Sequence, residues 1–60
     1  MYEVESCYSN GDLARALQQA AAFVAHVGEA NVLHIVGRLD GNVPDAWWVD
    51  VIWRNPNPQR

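Results

Sequence analysis

Only one stretch of this chain has the period of a helix. Across residues 12–27, DLARALQQAAAFVAHV, the residues Leu13, Ala16, Leu17, Ala20, Phe23, Val24 and Val27 fall on one stripe. Arg15, Gln18, Gln19, Ala22 and His26 lie opposite. Alanine, leucine and glutamine are good helix formers. Asp12 is expected in the first turn, where a carboxylate suits the helix dipole, with Ser9 or Asn10 as the cap. Gly28 is placed to end the helix. A single helix has a single apolar stripe, so it can cover one face of a sheet and leaves the other to solvent or to a partner.

The rest of the chain alternates. In YEVESCY, Tyr2, Val4, Ser6 and Tyr8 share one parity and Glu3, Glu5 and Cys7 the other, which predicts a first, half-buried strand. NVLHIVGRLDG predicts a second, with Leu33, Ile35, Gly37 and Leu39 on one side and Val32, His34, Val36 and Arg38 on the other. The segment DGNVPD is rich in turn residues. AWWVDVIWR predicts a third strand. Its Trp47, Val49, Val51 and Trp53 form an uninterrupted apolar face, and Trp48, Asp50, Ile52 and Arg54 a mixed one. Prolines bar NPNPQR from a central strand, so residues 55–60 are expected to be a tail of a single domain, 1–60.

The expected fold is therefore α+β, ordered β-α-β-β. A three-stranded, mainly antiparallel sheet carries one helix packed on one face. Strands two and three should form a hairpin pairing Leu39 with Trp47, Gly37 with Val49, Ile35 with Val51 and Leu33 with Trp53. The third strand has the most continuous apolar face and belongs in the middle. The rival order puts strand two there, with strand one parallel to it. A chain this short buries only about 60% of its unfolded surface, and ordering it costs roughly 1.5 kcal/mol per residue. Half of its residues are hydrophobic and 18% are charged, a globular rather than a disordered composition. The lone Cys7 excludes an internal disulfide. No basic start with an apolar h-region opens the sequence, and no apolar run is long enough to span a bilayer. The expectation is a soluble, unexported, cytoplasmic protein.

Chemistry is hard to find in these residues. Ser9, His34 and Asp50 are triad types without a nucleophile elbow or an oxyanion glycine pattern. His26, His34 and Cys7 lack metal-site spacing, and GRLDGN lacks the lysine and following helix of a phosphate loop. Cys7 has acidic neighbours, the wrong setting for a thiolate. No enzyme activity, cofactor or metal is implied. The net charge is −3, there is no lysine, and Arg15, Arg38, Arg54 and Arg60 are scattered. That argues against direct binding of nucleic acid.

What remains is a surface. With Trp47 and Trp53 in the core, Trp48 must point the other way. The uncovered face is expected to carry Trp48, Ile52, Val32 and Val36, with Arg38, His34, Asp50, Glu3, Glu5 and Cys7 around them. Tryptophan among aliphatics on an open sheet marks a contact surface. The alternative is a local cation–π pair of Trp48 with Arg38 across the hairpin. Glu3, Glu5 and Asp50 together would give the face an acidic side able to meet a basic groove.

Very short, acidic, cysteine-poor, motif-free and biased to alanine and arginine, the chain resembles the small anti-CRISPR proteins of phages and mobile elements. That resemblance implies a stoichiometric inhibitor docking on a subunit of a type I effector complex in a bacterial host, the large subunit among them, and blocking access of target DNA. The expected contact residues are Trp48, Glu3, Glu5, Asp50, Ile52, Val36 and Arg38. The layout is also similar to small bacterial sporulation-type and housekeeping proteins. In those the open face would serve homodimerisation.

Overall fold

A computed structural model describes residues 1–56 of the chain. In chain order the elements are β1 (Tyr2–Asn10), α1 (Leu13–Val27), a 3-10 turn (Glu29–Asn31), β2 (Val32–Leu39) and β3 (Ala46–Arg54). The sheet order is β1-β3-β2, with β3 antiparallel to both neighbours. The strand with the unbroken apolar parity is therefore central, and the order with β2 in the middle is excluded. Of the expected tail, residues 57–60 lie outside the described part. Just before them, the Asn55 amide donates to the Met1 carbonyl at 2.8 Å and extends the pairing of β1 with β3.

The core is small, and its centre is built from small side chains. Ala16 and Ala20 of α1 are buried against Cys7, Val49 and Val51, with Leu13, Phe23, Val24, Val32, Trp47 and Trp53 packed around them. The largest fully buried side chains are the valines Val49 and Val51. Alanines at the contact let the helix backbone lie close to the sheet. Trp47 and Trp53 line the rim, and Phe23 meets Trp53 edge-on with ring centroids 5.2 Å apart. The expected stripe is right in breadth but not in its centre: Leu17 remains 47% exposed.

The helix begins one residue later than expected. Asp12 is itself the cap and accepts the Arg15 amide at 3.1 Å through its side chain. Ser9 is instead buried near the end of β1. Gly28 ends the helix as expected, at φ 93°, and its amide reaches the Val24 carbonyl at 2.9 Å. The side-chain amide of Asn31 donates to the Val27 carbonyl at 2.7 Å, satisfying another orphan acceptor of the last turn.

Register decides which side chains meet. Leu39, Gly37 and Ile35 stand opposite Trp47, Val49 and Val51 as expected, but the hairpin slips by one residue further on. A bulge between Val32 and His34 puts Val32, not Leu33, opposite Trp53. Val32 therefore joins the core and is lost from the open face, while Leu33 is 53% exposed.

The larger correction concerns β1. Glu3, Glu5, Cys7 and Ser9 stand opposite Trp53, Val51, Val49 and Trp47, on the helix side. Tyr2, Val4, Ser6 and Tyr8 stand opposite Arg54, Ile52, Asp50 and Trp48, on the open side. The alternation of β1 is as expected, but its two parities are exchanged. The reason is steric. Beside Ala16 and Ala20 the helix needs small side chains beneath it, and in β1 the small buried residues Cys7 and Ser9 share a parity with the glutamates. Glu3, Glu5 and Cys7 thus leave the open face.

Candidate interaction face

Trp48 is the hub of the open face. β3 presents it on the mixed parity, between Tyr8 of β1 and Arg38 of β2. The Tyr8 ring lies 4.8 Å away, tilted by 52°. The Arg38 guanidinium carbon sits 5.2 Å from the indole centroid, so the cross-hairpin cation–π pair is present. The indole N–H donates to Asp40 Oδ2 at 2.8 Å. Trp48 is consequently half-buried and braced on three sides, a fixed platform rather than a loose anchor.

Arg38 is shared. Its Nε donates to Asp50 Oδ2 at 2.9 Å. That hydrogen bond holds the Asp50 carboxyl below the usual carboxylate range, against the opposing effect of burial and with help from Ser6 across the strand. Asp40 is held low as well, first by the Trp48 indole and then by the amides of Asn42 and Val43. Its Oδ1 accepts those two amides at 2.7 and 3.1 Å, so one carboxylate shapes the β2–β3 turn and fixes the tryptophan. Asp45, in the same turn, has a positive φ of 61°, a conformation aspartate tolerates better than most residues.

The apolar part of the face lies towards the other end of β1. Tyr2 is 68% and Val4 60% exposed, beside half-buried Ile52. Val36 flanks Asp50 on the β2 side. Of the expected contact residues, Trp48, Asp50, Ile52, Val36 and Arg38 share this face. Glu3 and Glu5 do not: Glu3 accepts the Asn55 side-chain amide at 2.8 Å on the opposite face, and Glu5 is exposed there. Tyr2, Val4 and Tyr8 take their place. The alternation of YEVESCY already separated them from the glutamates, and the size of Cys7 was the clue to which set faced the helix.

The same geometry separates the groups that resembled catalytic parts. Ser9 is buried on the helix side, whereas His34 and Asp50 are on the open side. Cys7 lies beneath the helix, where burial, then Glu5 and Asp50, push its thiol up and away from the thiolate. Among the described residues no group of His, Cys, Asp and Glu could hold a metal ion. Among these residues there is no pocket, and no helix is long and apolar enough to cross a membrane. No protein-family model matches the chain, and comparison with curated proteins and with solved structures finds no match.

Proposed function

We propose that this protein is a non-enzymatic binding protein that docks its open sheet face on another protein. The observation that carries this reading is the pairing of a braced aromatic platform, Trp48 on Tyr8 and Arg38, with the exposed Tyr2 and Val4 on one flat face. Tryptophan, tyrosine and arginine dominate binding hot spots. Arg54 stands opposite Tyr2 at one end of this face, and Asp50 at its centre is paired with Arg38, so no uncompensated charge lies among the apolar side chains.

For the partner we propose a subunit of a type I CRISPR effector, with occupancy blocking access of target DNA. The short, acidic, motif-free character of the chain supports this identity. With Glu3 and Glu5 on the far side, the open face offers shape and aromatic area rather than negative charge. The block is then steric and not an electrostatic imitation of nucleic acid.

The experiment is a binding measurement against purified type I effector subunits at two salt concentrations. The expected result is one-to-one binding with weak salt dependence, and a raised dissociation rate for Trp48→Ala and for Tyr2→Ala. Absence of binding to every subunit overturns the inhibitor identity. Binding that survives both substitutions overturns the open face as its site.

A further inference from the structure

The helix does not cover its own side of the sheet evenly. It packs on β3 and β1 and scarcely touches β2. Gln19 reaches the Tyr8 carbonyl of β1, so Leu17, on the opposite flank of α1, overhangs the β2 side. Ile35 and Leu39 stand on the helix side but stay 46% and 58% exposed. Together with Leu33 they form an apolar step between the helix and the outer edge of β2.

Beyond the bulge at its Val32 end, that edge carries little protection. Edge strands are normally blunted by charge, lysine or proline. The other edge, β1, carries Glu3 and Glu5. β2 reads VLHIVGRL, and its one formal charge, Arg38, is already held by Asp50 of the same chain. No carboxylate lies on β2, although the chain as a whole is acidic. Two copies that repel elsewhere can approach here.

We infer that β2 pairs antiparallel with β2 of a second copy, about a two-fold axis through Val36, giving a continuous six-stranded sheet. A strand on a two-fold must be complementary to itself, and this one is. With Val36 on the axis, Ile35 stands opposite Gly37 of the partner, and Leu39 meets the bulged Leu33. A Cβ built on Gly37 touches nothing, so the space above it is open to receive the isoleucine. His34 faces the partner's Arg38 on the other side, with no acid against acid. Because each helix lies over β1 and β3, the two helices stay apart. The Leu17, Ile35 and Leu39 side chains of both copies close on one another between them. The seam meets the open face only at Val36, His34 and Arg38, and it leaves the Trp48, Tyr2 and Val4 surface uncovered in both copies.

The test uses the whole chain. Sedimentation over a concentration series should show a mass twice 6.7 kDa for the wild type. Ile35→Glu and Leu39→Glu should weaken the dimer at least tenfold, and Val4→Glu, on the open face, should not. Circular dichroism checks that each variant folds. Independently of those variants, Val36→Cys should form an interchain disulfide on mild oxidation. Equivalent residues on the axis are within about 4.5–5.5 Å, inside the span a disulfide needs, and buried Cys7 does not compete. A Val4→Cys chain should remain uncrosslinked. A wild type that stays monomeric at every concentration, or crosslinking of the Val4→Cys chain instead of the Val36→Cys chain, overturns the inference. So does a dimer that only Val4→Glu breaks, which would place self-association on the open face.

Discussion

Asp40 holds Trp48: the indole N–H reaches its carboxylate at 2.8 Å, across the turn that joins β2 to β3. The same side chain accepts two backbone amides of that turn. Asp40→Ala should therefore loosen the turn and the tryptophan together. Near-ultraviolet circular dichroism should lose Trp48 signal while the far-ultraviolet spectrum persists. Unchanged aromatic signal would mean that Tyr8 and Arg38 suffice to fix the ring.

Acid should act through the same groups. Asp40 and Asp50 are both held below the usual carboxylate range in the fold. A lowered folded value means that the ionised form stabilises the native state. That contribution is complete above the unfolded value of about 3.9 and is lost as pH falls through the folded values. The urea midpoint should be level near neutrality and fall below about pH 4. Asp40→Asn should lower the neutral plateau and make the acid limb shallower. A limb as steep as that of the wild type would assign acid sensitivity to Asp50 or to other carboxylates.

Trp53→Ala should destabilise the fold by about 3 kcal/mol, because it removes the partner of Phe23 at the rim of the core. Trp48→Ala should cost about 1–2 kcal/mol, through lost aromatic stacking and an indole hydrogen bond. Urea titration compares them. Equal losses would make the open-face cluster as structural as the core.

Ala16 and Ala20 set the height of the helix above the sheet. Ala20→Leu should cost about 1–3 kcal/mol by overpacking, while Ala22→Leu on the exposed side should change stability little. Thermal melts of the two variants give the contrast. A neutral Ala20→Leu would mean that the helix can lift without losing its packing.

Glu3→Gln combined with Glu5→Gln should leave the affinity of any open-face partner unchanged within about twofold, since both side chains depart from the other side of the sheet. Paired binding curves of wild type and double variant check this. A large loss would mean that the partner wraps the β1 edge.

The element order, the central β3 and most of the hairpin register were legible because their signals are long and periodic. The apolar parity of Trp47, Val49, Val51 and Trp53 admits one burial pattern. What misled was size. Hydrophobicity favours Tyr2, Val4 and Tyr8 over Glu3, Glu5 and Cys7 for the covered side of β1. The helix, however, approaches through alanines, and Cys7 and Ser9 are the two small residues of one parity that lie beneath it, whereas Ser6 is flanked by Val4 and Tyr8 on the other. The slip at Leu33 had no sequence signal, since Val32 and Leu33 are equally apolar and either can face Trp53. Asp40 was hidden for a different reason: an aspartate before a glycine reads as turn chemistry, and its second oxygen is turned to Trp48 only by the three-dimensional path of the hairpin.

The middle strand of this sheet comes last among the elements of the described residues, and its outer residue Arg54 pairs with Tyr2. On the ribosome, β1, α1 and β2 are therefore made first with no sheet to join, since each strand needs β3 as its neighbour. At about 5–20 residues per second, the nascent chain up to Asp45 is made without native strand pairing. The sheet can close only once β3 has emerged. A premature stop anywhere before β3 therefore leaves a helix and two strands with no strand to pair, and not half of a sheet.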